Sequence, residues 1–144
     1  MTDTCFVFAS TAEKDPEAVI NKYLPDSIED YDVHFLCSDA KEKILKKDID
    51  MDMSVLDSYK LVCPVGAEPL KYVAGITGIT KYNGVHIEKK YLPIMHPNLI
   101  VFKPQYEDEI IKAFNKIPEI VSGEDFAVTV EKHYEIIDNV KSFN

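Results

Sequence analysis

The run Thr4-Cys5-Phe6-Val7-Phe8-Ala9 is apolar on both faces of an extended chain, and no other feature constrains this sequence more. A strand of this kind has to be covered on both sides, a condition met inside a parallel sheet held between two layers. Asp32-Val33-His34-Phe35-Leu36-Cys37 and Lys60-Leu61-Val62-Cys63-Pro64-Val65 read as a second and a third strand, with helix signals between them. Asp15 followed by Pro16 is an N-cap with proline at the first helical position, and Val19, Ile20, Tyr23 and Leu24 share a face before Pro25 ends the helix. Ser38 is placed to cap a lysine-rich helix that buries Ile44 and Leu45 and ends near Lys47. Gly66 opens a helix over 67–74 that Gly75 stops. This alternation predicts an α/β domain, three-layer α/β/α around a mainly parallel central sheet.

Beyond the third strand the signals are shorter. Ile79 to Tyr82, Asn83-Gly84 and Val85-His86-Ile87 read as a hairpin, since Asn-Gly supplies the positive φ angles of a type I′ turn. Tyr91-Leu92-Pro93-Ile94 is a further short strand, which delivers Met95-His96-Pro97-Asn98 into a loop. Gln105 to Lys116 is a helix with Ile110, Ile111 and Phe114 inward, closed by Pro118. Residues 1–118 thus form the domain, and 119–144, with a strand-like Phe126-Ala127-Val128-Thr129-Val130, form an extension, a linker or an edge strand.

A chain of 144 residues supports one core without metal or disulfide. Cys5, Cys37 and Cys63 are an odd set at wide spacing, which suits reduced, buried thiols and excludes an iron–sulfur cluster built on four of them. With neither a membrane-length apolar run nor a signal-peptide start, the expected location is cytoplasmic, in the host if the source is viral, with no membrane partner. The net charge is −9 and all 16 basic residues are lysine, so no arginine fork is present to grip phosphate or guanine. The deficit is uneven. Residues 1–70 carry 7 Lys against 15 acids, whereas within 71–103 Lys71, Lys81, Lys89, Lys90 and Lys103 face only Glu88.

In an open α/β sheet, ligands gather beyond the carboxyl ends of the strands. Three ends are readable: Ala9-Ser10-Thr11, Val65-Gly66-Ala67 and Met95-His96-Pro97-Asn98. Gly66 before a helix suits either an anion site or an ordinary strand-to-helix turn, and Glu68 beside it would repel phosphate. His96, stiffened by Pro97, suits either a donor to a developing anion or a loop histidine with one hydrogen bond. Asp48, Asp50 and Asp52 alternate onto one side, as a hard-cation site or a solvated acidic loop would have them; a calcium loop's central Gly and terminal Glu are missing, and neither metal nor cofactor is expected.

Three ordered motifs are more specific than any one. Leu61 to Glu68, then Gly78-Ile79-Thr80-Lys81-Tyr82-Asn83-Gly84, then Leu92-Pro93-Ile94-Met95-His96-Pro97-Asn98 resemble the C-terminal half of the uracil-DNA glycosylase superfamily, of the family-four and family-five type, over roughly residues 58–117. The resemblance implies that His96 faces a flipped uracil, that Pro97, Asn98 and Leu99 press into DNA as a wedge, and that Gly66 and Ala67 lie near a phosphate. Lys81 belongs to the hairpin motif and joins the DNA-contacting set. Ala9, Ser10 and Thr11 would line the pocket.

The N-terminal half departs from the family. A Gly-Glu-x-Pro-Gly loop, or a relative with Asp or Asn, should place the attacking water, yet the stretch is Phe6-Val7-Phe8-Ala9-Ser10-Thr11-Ala12. Losing a positioned acid or base forfeits about 10²–10⁴-fold in rate. The expectation is a nonenzymatic glycosylase-like domain that contacts single-stranded or uracil-containing DNA, or a replication protein. It resembles the domains set ahead of the exonuclease in some bacteriophage DNA polymerases. Two alternatives stay open: an active uracil-DNA glycosylase of base-excision repair whose water is held by Ser10 or Asp39, in which His96 would be catalytic, and an acidic protein-interaction module without DNA contact.

Overall fold

The computed structural model describes residues 3–10, 15–28, 30–38 and 44–123. Strand β1 (Thr4–Ser10) is central, flanked by β2 (Asp32–Cys37) on one side and β3 (Leu61–Pro64) on the other, all parallel. The chain from 90 to 94 extends the ladder past β3. Val62 N donates to Lys90 O, Leu92 N to Val62 O, Ile94 N to Pro64 O and Gly66 N to Ile94 O, at 2.8–3.0 Å. Tyr91 and Ile94 thereby bridge in parallel to Val62 and Val65. The α/β fold expected from the doubly apolar strands is the one observed.

Pleating sends alternate residues of β1 to opposite cores. Phe6 and Phe8 pack with Leu61 and Cys63 of β3, with helix α1 (Pro16–Tyr23), and with the long helix α5 (Glu107–Val121). Cys5 and Val7 pack on the other side with Leu36, Ile44, Leu56 and Val62. That second layer is made of short turns, Lys46–Asp48 and Met53–Ser58, in place of long helices.

Asp15 caps α1 as the sequence suggests: it takes the left-handed conformation at φ 48° and its carboxylate accepts from Ala18 N at 3.1 Å. Helix α2 (Ala67–Pro69) continues as a wider π turn over Leu70–Ala74, and Gly75 at φ 72° ends it. Of the expected lysine-rich helix, residues 39–43 lie outside the described ones. Ile44 is buried there, but Leu45 is 43% exposed. Ser38 is engaged with Asp50, through its backbone N–H and its hydroxyl.

Three expectations are corrected. Ile79–Tyr82 is a helical turn (α3) and not a strand, begun by Gly78 at φ 101°. Asn83-Gly84 does reverse the chain, but Asn83 sits at φ −54°, ψ 124° and Gly84 at φ 76°, with Val85 N donating to Tyr82 O at 3.0 Å. That is a type II turn, which requires positive φ only at its third residue. Two consecutive left-handed residues occur instead at Glu88 and Lys89, where Lys90 N returns to Ile87 O at 3.0 Å. Finally, α5 begins at Glu107 and runs through Pro118 to Val121. Ile110, Ala113, Phe114, Ile117 and Ile120 all bury on one stripe, and the apolar surface gained by the last turn outweighs the proline's missing N–H. The strand-like 126–130 lies outside the described residues.

The aspartate trio is occupied with backbone. Asp48 accepts from Leu45 N at 3.0 Å and Asp52 from Ser54 N at 3.0 Å. The Ser38 donors hold the Asp50 carboxyl below the usual range. Among the described residues no group of three or more His, Cys, Asp or Glu could hold a metal ion, and no helix is long and apolar enough to cross a membrane.

The three cysteines are buried and free, as expected from their spacing. Burial pushes the Cys5 thiol up to about 12 and raises Cys63 as well. The thiolate is the reactive form. Native protein is therefore expected to leave Ellman's reagent unreacted over minutes and to titrate all three thiols in denaturant; rapid labelling of the folded chain would refute the buried placement.

Candidate functional site at the strand ends

The strand order decides where the site lies. The chain leaves β1 for β2 on one flank and leaves β3 for the 90–94 ribbon on the other, so these two connections diverge above the carboxyl ends of β1 and β3. Such a switch point opens a crevice in a doubly wound sheet. Ser10 ends β1 and Gly66 follows β3 at this end of the sheet. The next ribbon contributes Met95 and His96, because Ile94 is bridged to Val65. The three ends named from the sequence are thus neighbours in the fold. Ala9 and Ser10 are half-buried, and Thr11 lies outside the described residues.

His96 rests edge-on against Phe8 of β1, ring centroids 5.8 Å apart. Its Nδ1 accepts from Asn98 N at 3.0 Å. A neutral imidazole whose Nδ1 accepts carries its proton on Nε2, so the ring is set as an Nε2 donor. Pro97 is buried and Asn98 exposed. The backbone then closes into a four-residue helix, α4 (Leu99–Phe102), with Leu99 N bonded to His96 O at 2.9 Å.

Gly66 stands at φ 102°, a conformation that strains any residue with a Cβ. Its N–H is bound to Ile94 O. The amide therefore stitches β3 to the His96 ribbon and is not offered to an anion. Ala67 is exposed at the start of α2, while Glu68 turns away to accept from Ile44 N at 2.7 Å. Lys81 is exposed on α3, with its ammonium 5.2 Å from the Tyr82 ring centroid.

Two features escape the sequence reading. Leu99, expected with Pro97 and Asn98 to form the wedge, is half-buried against the main core, and the residues given to solvent are Val101 and Phe102, 78% and 82% exposed. The signal was available in Leu99-Ile100-Val101-Phe102, since four apolar residues in one helical turn cannot all face inward. Lys90 is also withdrawn from the positive stretch. Its ammonium donates to Leu56 O at 2.7 Å, Tyr59 O at 2.6 Å and Asp57 O at 3.4 Å. Lys71, Lys81, Lys89 and Lys103 remain exposed. A separate groove of about 540 Å³ beside the Asn83-Gly84 turn is lined by Glu109, Lys112, Lys116 and Glu119, whose mixed charges favour neither ligand sign.

The fold defines an α/β domain with a small parallel sheet. No family model matches the chain. The chain is similar to a DNA polymerase of Bacillus phage SP01, 29% identical over 104 residues, which cover 64% of this chain. The match spans 11% of that polymerase's length.

Proposed function

We propose that this chain is a nonenzymatic, glycosylase-like domain of phage DNA replication that contacts single-stranded DNA through the His96–Phe102 tip, within or beside a DNA polymerase. The observation that carries the reading is the tip itself. It combines an imidazole set as a donor, an exposed aromatic six residues on, and Lys103 next in sequence, all delivered by a ribbon at the switch crevice. Base stacking on an exposed aromatic contributes about 1–3 kcal/mol per base and tolerates any sequence. The similarity to a phage polymerase supports the replication setting. The Ala9-Ser10 end of β1, with no carboxylate or glycine, supports the absence of base excision.

The test uses a short fluorescent oligothymidylate, with and without one deoxyuridine. Salt-dependent binding without abasic product is expected. Phe102→Ala should weaken it about tenfold, and His96→Ala and Lys81→Ala should weaken it by less with the melting temperature unchanged. Abasic product that disappears in His96→Ala would instead establish an active glycosylase. No binding by the parent chain would leave the acidic protein-interaction reading, with residues 1–70 as its surface.

A further inference from the structure

The Gly78 to Gly84 motif has so far supplied only one exposed lysine, and its best-anchored residue is a different one. Asn83 Oδ1 accepts from Met95 N at 2.7 Å, and its Nδ2 donates to Glu109 O in the first turn of α5 at 3.0 Å. The adjacent Gly84 N donates to Pro93 O at 2.8 Å. Gly84 also faces α5, where an added Cβ would be in ordinary contact with Ala113 Cα at 3.5 Å, and its φ of 76° disfavours any other residue. The type II turn is therefore wedged between the 93–95 ribbon and α5. Met95 is buried, and its amide immediately precedes His96.

We propose that Asn83 is the positioning residue of the His96 tip: its amide ties Met95 to α5 and so fixes the direction in which the chain leaves the sheet towards His96. One planar group has to accept on one side and donate on the other, and asparagine does both at this reach. Phe8 beneath the ring and the Asn98 N–H at Nδ1 set the imidazole itself; Asn83 sets the backbone that carries it. The inference rests on the proposed DNA reading for its purpose, though not for its geometry.

Three variants test it. Asn83→Leu and Asn83→Ala remove both bonds, the second without added bulk should the first not fold. Asn83→Asp keeps the acceptor for Met95 N–H and loses the donor, setting a carboxylate oxygen against Glu109 O. Hydrogen exchange at the Met95 amide and the imidazole ¹⁵N resonances of His96 are followed alongside melting temperature and oligothymidylate affinity. In the Leu or Ala variant, Met95 protection should fall about tenfold or more, the His96 resonances should shift, and affinity should drop about tenfold. Asn83→Asp should keep much of the parent Met95 protection yet, with the tie to α5 cut, shift the His96 resonances and weaken binding as Ala does, a separation that a purely structural role would not produce. Unchanged His96 resonances in either the Ala or the Asp variant would overturn the assignment. If the spectra respond as expected while the parent chain binds no oligothymidylate, the positioning role stands and the DNA reading fails.

Discussion

Phe114→Ala should lower stability by about 3–5 kcal/mol, the range for truncating a buried aromatic that leaves a cavity. Phe114 is the point at which three elements meet. Its ring stacks on Phe6 of β1 at a centroid distance of 5.9 Å and on Tyr23 of α1 at 5.6 Å, with interplanar angles of 25° and 28°. Only 1% of it is exposed, so no solvent can fill the vacated space. Offset aromatic pairs add about 0.5–1.5 kcal/mol beyond the area they bury. Truncation removes both pairs and the α5 anchorage of the His96 side of the sheet together. For a domain of this size the melting temperature should fall by roughly 10–15 °C, and Phe114→Leu, which keeps most of the volume, should recover more than half. A loss of a degree or two in thermal melts would mean that α5 is not seated as described.

The second large effect is expected at Lys90. Its ammonium serves the carbonyls of Leu56, Asp57 and Tyr59 at the end of the Met53–Ser58 turn, where Leu56 O also takes the Tyr59 N–H at a long 3.3 Å and helical carbonyls run short of backbone donors. It also anchors a reversal whose Glu88 and Lys89 are both left-handed, a conformation that costs L-residues about 1–2 kcal/mol each. Bonds to a charged donor are worth about 1.5–3 kcal/mol. Because the Asp57 contact is long and water can reach part of the site, Lys90→Met should cost about 2–4 kcal/mol in urea unfolding. Lys89→Met, on the exposed side of the same turn, should change stability by about 0.5 kcal/mol or less. The two lysines should also part company in binding. Each phosphate contact contributes to the slope of affinity against salt. Removing Lys90 should leave that slope unchanged, and a slope that falls would return Lys90 to the nucleic-acid face.

Local chemistry made much of the architecture legible. The Asp15-Pro16 cap, the Gly75 stop and the bounds of β2 follow from contacts within a few residues, and the observed elements agree. Even the three strand ends of the candidate site could be named. The errors cluster where a side chain had a choice of distant partners. Asn-Gly suggested a type I′ turn, but the Asn83 amide is claimed by Met95 and Glu109, and Asn83 then takes the extended conformation of a type II turn. Pro118 suggested a stop, but the stripe through Ile117 and Ile120 had a core to reach. Leu99-Ile100-Val101-Phe102 left open which side chains face solvent, and the packing of the first two on the core turns Val101 and Phe102 outward.

The sequence by itself determined the sheet: a strand apolar on both faces, as β1 is, is stable only where both faces are covered. Only the tertiary structure decided the strand order, and with it the gathering of Ser10, Gly66 and His96 at one end of the sheet. It also decided which lysine is spent on backbone and which aromatic faces solvent. The physical reason is range. Caps and periodicity act over one or two turns of chain, whereas the partners of Asn83 and Lys90 lie 12 to 34 residues away and are chosen by the packing of the whole domain.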